Sequence, residues 1–428
     1  MKIIFVNDKF LPDITGVGNY AYGLSLMLKK LGHEVIIITT IAKKEAAGVG
    51  YLDEIKVYRI YTKINRKLRN YFMIYNPEVI SKIDKIFSQE MADVAHFFNV
   101  HSGISYYALK LSKKYNKVTF WHARDVLSFS YEKLTHFIYK QKNLDMPSSF
   151  NYKLDLLDLA KQARKSYNPL RNILIRHYLN FADRLFSVSQ SLKDAMCANR
   201  IKQEIDVIYS GIDTNEFILS NLEINEFKEK YSLQNKKMLF LMGRLSPDKG
   251  VKQAVDSLAI VVKQFPETVL FLAAEITDYV KWIKNYAHAK GLGNNLVISG
   301  YLPRQEVIKG LLASDISLNP SLCLDAFPKV NLEAMAAAKP VVGTCFGGTP
   351  EVVIDGITGY IVNPLDVEVM AEKIIDLLKN PDKANKFGQA GYLKVKTEFN
   401  LRKKAEELLA CYKLFLESAN KKKYNNEV

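Results

Sequence analysis

The amino-acid sequence predicts an α/β protein with two doubly wound, parallel sheets, one in each half of the chain. Short apolar runs rich in β-branched residues alternate with amphipathic helical segments, which is the pattern of β-α-β units. The pattern occurs twice, and 428 residues exceed what one hydrophobic core usually accommodates. With 48% hydrophobic and 25% charged residues, the composition is that of a globular protein.

The first series of predicted strands lies in the first half of the chain. Amphipathic helical segments separate most of these strands, and the first such helix ends at Gly32, a typical C-terminal cap. This alternation predicts a parallel, doubly wound sheet. The strands are KIIFV (2–6), EVIIIT (34–39), KVYRI (56–60), DVAHF (93–97), KVTFW (117–121) and RLFSV (184–188).

A second series of the same kind follows. The stretch VIYSGIDTNEF (207–217) breaks the periodicity with glycine and polar residues, and is the predicted linker. We therefore expect a first domain over residues 1–204 and a second over 205–397. The strands of the second domain are KMLFLM (237–242), VLFLA (269–273), LVIS (296–299), DISLN (315–319), PVVG (340–343) and YIV (360–362).

The charge of the chain restricts its partners. Lysine and arginine number 60 against 45 acidic residues, which leaves a net charge of +15. Either solvated lysines or an anionic partner, such as a phosphate-bearing ligand, nucleic acid or an anionic membrane, explains this excess. The sequence contains no zinc-finger, RNA-recognition or KH-type motif, so nucleic acid is not an expected partner.

The expected location is the cytoplasm. MKIIFVNDKF at the N-terminus lacks the long apolar core and the cleavage site of a signal peptide. No apolar stretch approaches the roughly 18–20 residues that span a bilayer. The four cysteines show neither CxxC spacing nor disulfide density, which is typical of a reducing compartment.

Two segments of the first half combine basic and aromatic residues. One is TKINRKLRNYFMIY (62–75), and the other extends from about residue 130 to residue 172 and is helical in pattern. Such segments suit an interfacial or acceptor-binding helix, and they equally suit a solvated face over a core stripe. A peripheral contact with an anionic membrane is therefore one hypothesis.

A glycine-containing stretch, DITGVGNY (13–20), follows the first strand and opens the first helix. Gly16 and Gly18 let backbone N–H groups approach an anion at a helix N-terminus. The spacing G-x-G-x-x-A also occurs in dinucleotide sites, but Gly16 lies ten positions after Val6, and the second strand does not end in an acid. A loop bordering a phosphate is therefore favoured over an NAD site.

The stretch MGRLSPDKG (242–250) directly follows the first strand of the second half. It holds Arg244, a fork-shaped donor, and Lys249, a point charge, on a short turn that enters a helix. Because ligands bind at the carboxyl ends of strands in such sheets, a diphosphate site is favoured over a turn with surface cations.

Two carboxylates, Asp325 and Glu333, lie eight positions apart in SLCLDAFPKVNLEAM (321–335). Magnesium-binding acids are expected one or two positions apart, so no metal site is predicted. Glycoside hydrolysis is not excluded by the spacing, although no second pocket signature supports it. If Glu333 opens a helix, both acids can face one cleft and accept hydrogen bonds from sugar hydroxyls. Taken alone, Glu333 is equally well explained as an acid at a helix start.

These pieces together resemble the retaining nucleotide-sugar glycosyltransferases of family 4. The resemblance rests on GRLSPDKG, on residues 320–364 and on the N-terminal GVGNY and LKKLGHEV, and it is strongest over 240–365. It implies the GT-B fold, in which two Rossmann-like, doubly wound parallel-sheet domains face a central cleft and the second binds the donor. It also implies that helix 398–420 packs back onto the first domain, which receives the acceptor.

The resemblance assigns roles to single residues. Arg244 and Lys249 would bind the diphosphate of the donor, Glu333 its ribose and Asp325 the transferred sugar. His122, in FWHARD, matches a histidine that faces the donor sugar, and His96 matches a second one that is more often structural. The expected catalytic residues are His122, Asp325, Arg244 and Lys249, and the expected donor-binding residues are Gly16, Gly18, Arg244, Lys249, Asp325, Phe327, Lys329, Val330 and Glu333, with no metal ligand.

The chain departs from the family pattern at three places. Asp325 is one methylene shorter than the usual Glu, and Pro328 stands where glycine is common and removes a backbone donor. FLAAEITDY (271–279) lacks the glycines usually found after that strand. These departures put the identity of the sugar in doubt and leave the diphosphate pair in place.

The implied reaction moves a sugar from a nucleoside-diphosphate sugar to a glycan or lipid-linked acceptor, in cell-surface polysaccharide or glycolipid synthesis. Neither metal nor another cofactor is expected, because Arg244, Lys249 and helix dipoles would stabilise the leaving group. Two alternatives stay open: a nucleotide-sugar epimerase of the same fold, and an inactive nucleotide-sugar-binding protein. The nucleobase, the sugar and the acceptor are not identified by these motifs.

Overall fold

The computed structural model describes residues 1–13, 15–101, 103–139 and 149–427. This part of the chain forms two compact units, each built around one β-sheet. The first unit comprises the described residues within Met1–Leu134, Asn151–Gly211 and Leu401–Val428, and the second those within Thr135–Phe150 and Ile212–Asn400.

Strands and helices alternate along both units. The strands are β1 (Lys2–Asn7), β2 (Glu34–Ile41), β3 (Gly48–Leu52), β4 (Ile55–Tyr61), β5 (Val94–Phe97), β6 (Val118–Ala123), β7 (Arg184–Ser187), β8 (Ile205–Val207), β9 (Lys237–Met242), β10 (Thr268–Ala273), β11 (Leu296–Ile298), β12 (Ile316–Asn319), β13 (Val341–Thr344) and β14 (Gly359–Val362). The α-helices are α1 (Gly16–Lys30), α2 (Arg69–Phe72), α3 (Pro77–Glu90), α4 (Tyr107–Tyr115), α5 (His136–Tyr139), α6 (Leu156–Ala163), α7 (Arg171–Leu179), α8 (Gln190–Ala198), α9 (Asn221–Lys230), α10 (Val251–Val261), α11 (Asp278–Ala289), α12 (Arg304–Ala313), α13 (Lys329–Ala336), α14 (Thr349–Val352), α15 (Val367–Lys379), α16 (Pro381–Glu398) and α17 (Leu401–Glu427).

The sheet of the first unit has, within the described residues, eight strands in the order β3-β4-β2-β1-β5-β6-β7-β8. Neighbouring strands are parallel, except that β3 pairs with β4 in the antiparallel sense. The strand order reverses between the central strands β1 and β5, which makes the position between them a topological switch point.

The core of the first unit includes residues from both ends of the chain. Phe5 of β1, Leu24 of α1 and Phe120 of β6 pack in one cluster with Leu408 and Tyr412 of α17. Burial of this apolar face explains why α17, the last helix, belongs to the first unit. The helix that the resemblance placed at 398–420 is α17, Leu401–Glu427, and it packs in the core of the first unit.

The sheet of the second unit is parallel throughout, in the order β11-β10-β9-β12-β13-β14 over the described chain. This is the strand order of dinucleotide-binding folds, and its switch point lies between β9 and β12. The strands read as continuous apolar runs because helices such as α10 and α15 cover the sheet. A ligand is therefore expected at the carboxyl ends of β9 and β12.

The predicted fold class is confirmed. Every predicted strand is present, with ends within about two residues of the predicted bounds. Two strands were not predicted: β3 is an exposed, antiparallel edge strand with two glycines, and β8 has three residues. The first domain was predicted to end at residue 204, whereas β8 pairs with β7 and the first unit extends to Gly211.

The basic stretch predicted over 130–172 is divided in the structure. Residues 140–148 lie outside the described part of the chain. The described remainder includes the helices α6 and α7 of the first unit, whereas the described residues within Thr135–Phe150 belong to the second unit. The stretch is therefore not a single element of the first domain.

Candidate functional site

Three loops of the second unit meet at the carboxyl ends of β9, β12 and β13. The backbone N–H of Leu322, after β12, donates to the carbonyl of Asp248, after β9, at 2.8 Å. The backbone N–H of Gly348, after β13, donates to the carbonyl of Asp325 at the same distance. The loops that carry MGRLSPDKG, SLCLDAFPKV and FGGTP thus form one surface at the switch point.

Two glycines allow this close approach of the loops. Gly250 has φ +67°, and a Cβ there would lie 1.8 Å from the carbonyl oxygen of Pro320. Gly347 has φ +64°, and a Cβ there would lie 2.4 Å from the carbonyl oxygen of Asp325. Any side chain would push these loops apart, so glycine is required at both positions by contact as well as by conformation.

Lys249 and Asp325 form an ion pair on this surface. Lys249 ends a short 3-10 helix before α10, and Asp325 lies in the loop between β12 and α13. Burial acts against the charged ammonium, but the nearby Asp325 carboxylate outweighs it and raises the pKa of Lys249 above its ordinary value. The two side chains are 27% and 21% exposed, so a ligand can reach both.

Arg244 lies at the start of the same loop. It follows Gly243, whose φ of +112° turns the chain away from the end of β9. Its side chain is exposed, and it forms no ion pair with any residue in the described part of the chain. The structure thus places two cations of the predicted diphosphate pair on one short loop, with only Lys249 already paired.

Glu333 has a different setting from the one expected. It lies in the second turn of α13, which begins at Lys329, so the expectation that it opens the helix is wrong. Its Oε1 accepts a hydrogen bond from Nη1 of Arg304 at 2.6 Å. Nη2 and Nε of the same arginine donate to Oε2 of Glu216, at 2.8 and 3.1 Å.

Arg304 and Glu216 are site residues that the sequence analysis missed. Arg304 is the first residue of α12, directly after Pro303, and this N-terminal position of a helix is unfavourable for a cation. An arginine at such a position after a strand of the second domain is a signal of a specific partner. Its partners Glu216 and Glu333 are distant in sequence, so no spacing pattern indicates them.

The residues between the two acids have mixed roles. Phe327 is buried and its ring lies 5.8 Å from that of Phe399, so it packs inside the second unit. Pro328 is the N-cap residue of α13, and Lys329 and Val330 form its first turn. A proline without an N–H costs little at this position, because the first amides of a helix have no partner within it.

A buried polar network lies beneath the loops that follow β12 and β13. Nδ2 of Asn319, the last residue of β12, donates to Oδ1 of Asn331 in α13 at 3.0 Å. Nδ2 of Asn331 lies 3.3 Å from Oγ1 of Thr349 in α14, and Ser321 donates to Asn319 at 3.0 Å. All four side chains are buried, so the network fixes the position of α13 relative to the end of β12.

The first unit has its own polar cluster at the carboxyl ends of β1, β5 and β6. Nε2 of His101 lies 3.0 Å from Oδ1 of Asp125, and Nδ1 lies 3.0 Å from the hydroxyl of Tyr106. The carboxylate of Asp8 accepts the backbone N–H of His101 at 2.8 Å. Burial acts against the charged form of Asp125, but His101 outweighs it and lowers the pKa of this carboxyl. Sequence analysis missed this cluster because its members lie on separate loops.

His122 is buried inside the first unit. It is fully inaccessible, and its ring lies 5.4 Å from that of His96 and 5.7 Å from that of Phe186. Burial, followed by the positive charge of Arg124, lowers the pKa of His122 well below its ordinary value. His122 is therefore neutral near neutral pH, and it can exchange hydrogen bonds but not serve as a cation.

His96 has a structural setting. Its Nδ1 lies 2.7 Å from the hydroxyl of Tyr412 in α17, and burial lowers its pKa to about 3. The neutral ring thus ties the last helix to the first sheet.

Gly16 and Gly18 occupy the first turn of α1. Thr15 is the N-cap residue, and its Oγ1 accepts the backbone N–H of Gly18 at 2.9 Å. A Cβ at Gly18 would lie 2.9 Å from this oxygen, whereas one at Gly16 would meet nothing within 4 Å. Packing therefore explains why glycine occupies position 18 but does not explain glycine at position 16. Ile14, in the same loop, lies outside the described residues.

Three wider features bear on the chemistry. In the described part of the chain, no group of three His, Cys, Asp or Glu side chains is placed to share a metal ion. None of the described helices is long and apolar enough to cross a bilayer. A cavity of about 190 Å³ that includes Lys237, Asp315 and Lys339 lies at the opposite, amino-terminal edge of the second sheet, away from the loops above.

Two protein-family models match the chain, one in each half. The model described as Glycosyltransferase Family 4 matches residues 14–216, and the model described as Glycosyl transferases group 1 matches residues 223–394. Together the two matches cover most of the chain.

Individual proteins agree with this result. The N-acetyl-alpha-D-glucosaminyl L-malate synthase of Bacillus anthracis is 23% identical over 412 residues, which cover 94% of each chain. Four other curated relatives, at 26–27% identity, are matched over only 56–60% of their length.

Solved structures show the same fold. The sucrose-phosphate synthase of Thermosynechococcus elongatus has a TM-score of 0.76 at 17% identity, covering 97% of this chain and 99% of the other. Anabaena HepE in complex with UDP has a TM-score of 0.70 at 18% identity, covering 96% and 99%.

Proposed function

The chain belongs to the GT-B glycosyltransferases of the family 4 type, and from this premise we propose that it transfers a sugar from a nucleoside-diphosphate sugar with retention of anomeric configuration. The acceptor proposed is a glycan or a lipid-linked glycan. The whole reaction, its donor and its acceptor are proposals, since the first curated relatives are matched over little more than half of their length.

The observation that carries this proposal is the contact between Lys249 and Asp325. In a sugar nucleotide, a single bond joins the anomeric carbon to the diphosphate. A cation that binds the phosphate and an acid that binds the sugar must therefore be neighbours. The ion pair meets this requirement at the switch point of the second sheet, where such folds bind ligands.

Leaving-group stabilisation is assigned to the loop after β9. As the bond to the sugar breaks, negative charge develops on the diphosphate, and preorganised cations stabilise it. Lys249 and Arg244 supply those cations, and the N-terminus of α10 adds a favourable dipole. We propose that no metal ion is needed for this step.

Retention follows if the acceptor hydroxyl attacks the face from which the nucleotide departs and its proton passes to the departing diphosphate. A short-lived, oxocarbenium-like sugar then exists between the two partners, and Asp325 is assigned to accept hydrogen bonds from its hydroxyls. The shorter side chain of Asp325 shifts this contact by about one methylene relative to Glu, which favours a difference in sugar choice or position. The roles assigned by resemblance to Gly16, Gly18 and His122 stay predictions.

Ribose recognition is assigned to Glu333. Its carboxylate accepts one bond from Arg304 through Oε1 and retains acceptor capacity for a vicinal diol. HepE was solved with UDP and with UDP-glucose, and this supports a nucleoside diphosphate as the ligand class.

The test of the proposal begins with ligand binding. Thermal unfolding is measured with ADP-, GDP-, UDP- and dTDP-sugars, because a ligand that binds only the native state raises the melting temperature. The donor that stabilises the protein is then assayed for sugar release to water or to oligosaccharide acceptors. Stabilisation by none of these donors would contradict the proposal.

We further propose a peripheral contact with an anionic membrane through the first unit. Tyr71 in α2 is 51% exposed, and Leu156 and Leu157 of α6 are 73% and 71% exposed. Nδ2 of Asn70 donates to the carbonyl of Ser166 at 2.9 Å, which joins the segments 62–75 and 151–172. Exposed apolar side chains beside lysines and arginines suit a bilayer surface.

A further inference from the structure

Arg304 lies between two carboxylates that are far apart in sequence. Nη1 donates to Oε1 of Glu333, while Nη2 and Nε both donate to Oε2 of Glu216. The guanidinium also lies 5.3 Å from the ring of Phe217. All three nitrogens are thus engaged, so the plane of the guanidinium has a single orientation.

This orientation constrains Glu333 in turn. Glu333 is 13% exposed, whereas Arg304 and Glu216 are 39% and 46% exposed. A mostly buried carboxylate without a partner is unfavourable, and its side chain would rotate to find one. Arg304 instead holds Oε1 in a fixed place and leaves the second oxygen of Glu333 available.

The charges of the three groups favour this arrangement. Burial acts against the charged guanidinium, but Glu333, followed by Glu216, outweighs it and raises the pKa of Arg304 above its ordinary value. Arg304 is therefore a permanent cation between two anions. Without it, two carboxylates would share this part of the surface.

We propose that Arg304 is the positioning residue for ribose recognition by Glu333, and that Glu216 orients Arg304. The inference rests on the proposed function, in which Glu333 binds the ribose. A ribose diol donates hydrogen bonds along fixed directions, so a carboxylate held in advance binds it better than one that must first be ordered. Arg304 acts on the ribose only through Glu333.

Glu216 adds a structural consequence. It lies in the 3-10 helix Thr214–Phe217, in the first stretch of the second unit after Gly211. The segment that enters the second unit therefore contacts the ribose-binding acid through one arginine. A change in Glu216 should alter nucleotide recognition although this residue does not touch Glu333.

The experiment compares two nucleotides that differ only in the ribose hydroxyls. The probes are ADP, GDP and UDP; the one that binds best by calorimetry is paired with its 2′,3′-dideoxy counterpart. The measured quantity is the ratio of the two dissociation constants, which reports recognition of the diol. The variants are Arg304→Ala, Arg304→Lys, Glu216→Gln and Glu333→Gln, and the control is Lys230→Ala.

Lys230 is a matched control because it pairs with Glu306 in the first turn of the same helix, α12. Its removal deletes an ion pair of α12 without touching Glu333. Any general effect of a lost cation near this helix is therefore present in the control as well.

The wild type is expected to prefer the ribonucleotide by about tenfold or more, as for one or two hydrogen bonds to a charged acceptor. Glu333→Gln and Arg304→Ala should remove most of this preference, and Glu216→Gln part of it. Arg304→Lys should retain little of the preference for the ribonucleotide, because an ammonium group cannot bridge both acids as a planar guanidinium does. Lys230→Ala should leave the ratio unchanged.

Two results would overturn the proposal, and they are distinguishable. In the first, Arg304→Ala and Glu216→Gln keep the wild-type ratio of dissociation constants, whereas Glu333→Gln reduces it. Glu333 would then recognise the ribose without help from Arg304. No preference in the wild type removes the ribose assignment itself, and the inference with it. If Arg304→Ala does not fold, the ratios measured for Arg304→Lys and Glu216→Gln distinguish the same outcomes.

Discussion

Lys249 is a cation that already has a partner before any donor binds. Asp325 raises its pKa, so it is charged throughout the neutral range. A diphosphate carries more negative charge than one carboxylate and adds oxygens that accept hydrogen bonds. We therefore expect a bound donor to shift Lys249 from Asp325 toward the phosphate, which would free the carboxylate for the hydroxyls of the sugar.

Replacement of Lys249 or of Arg244 by Ala should reduce turnover strongly with the fold retained. Loss of one preorganised contact to developing charge raises the barrier by about 2–4 kcal/mol. Initial rates at saturating donor measure this effect. Lys252→Ala is the control, because it removes a cation of α10 that pairs with Asp256 instead. Near-normal rates in both site variants would show that the diphosphate assignment is wrong.

Asp325→Asn and Glu333→Gln should weaken different parts of donor binding. Glu333→Gln should weaken binding of the nucleoside diphosphate itself, because this acid is assigned to the ribose. Asp325→Asn should act mainly on the intact sugar donor. Calorimetry with each ligand separates the two effects, and equal losses for both ligands in both variants would contradict the division of roles.

At the scale of elements, the ends of helices and strands decide where charges meet. Glu90, the last residue of α3, accepts hydrogen bonds from Nζ of Lys2 in β1 and Nζ of Lys56 in β4, each at 2.6 Å. The hydroxyl of Tyr58 in β4 donates to the same carboxylate. A single carboxylate thus fastens one helix to two strands of the first sheet.

Glu90→Gln should destabilise the first unit by about 1.5–3 kcal/mol at neutral pH, as for hydrogen bonds to a charged group. Burial acts against the charged form of Glu90, but the bonds from Lys2, Lys56 and Tyr58 outweigh it and lower its pKa to about 2. Unfolding in urea, followed by circular dichroism, measures the difference.

The difference in free energy of unfolding between the wild type and Glu90→Gln should disappear in acid. The unfolded carboxyl titrates near its ordinary pKa of 4.5, and the folded one near 2. The stabilisation is thus complete above about pH 4.5 and declines as the pH falls toward 2. Glu34→Gln is the control, because Glu34 is exposed and lies 3.9 Å from Lys2. A difference that persists unchanged at pH 2 would contradict the assignment.

The whole molecule carries an excess of positive charge, +15 over 428 residues. Arg244 and Lys249, which are assigned to the proposed diphosphate site, contribute two of these charges, and most of the excess lies elsewhere. Such a charge attracts anionic ligands and surfaces over a distance set by the ionic strength. Two of the proposals depend on it, the stabilisation of the leaving group and the contact with a membrane.

Chelation of divalent cations should leave the rate of sugar transfer largely unchanged. Arg244, Lys249 and the N-terminus of α10 are assigned the charge stabilisation that a metal ion provides in other enzymes. The assay compares turnover in EDTA with turnover in added Mg²⁺ or Mn²⁺. A strict requirement for either cation would contradict the metal-free mechanism.

Vesicles that contain anionic lipid should sediment the protein at low salt. Each lysine or arginine near the surface contributes about 1 kcal/mol, and exposed apolar side chains add anchoring. Two double variants should each reduce the fraction bound to vesicles. One combines Lys67→Glu with Arg69→Glu, and the other combines Tyr71→Ser with Leu156→Ser. Lys281→Glu on α11 of the second unit is the control. A wild type that stays in the supernatant, or variants that match it, would favour a soluble acceptor.

The sequence by itself determined the two sheets and the positions of their main loops. Hydrophobic runs such as KMLFLM and VLFLA are long, apolar on both faces and separated by helices, so their burial dictates a parallel sheet. Glycine-rich turns directly after the strands then locate MGRLSPDKG and FGGTP at the carboxyl ends of the strands, where such sheets bind ligands. These features are local, because one strand, one turn and one helix start specify each of them.

Only the tertiary structure decided which polar and charged side chains meet. Arg304 pairs with Glu333 and Glu216, and His101 with Asp125, across separations in sequence that carry no periodic signal. It also decided that Glu333 lies inside α13 and that β3 and β8 extend the first sheet at its edges. The physical reason is the same in each case: such contacts depend on the packing of separate elements, whereas the hydrophobic pattern that predicts the fold is written within each element.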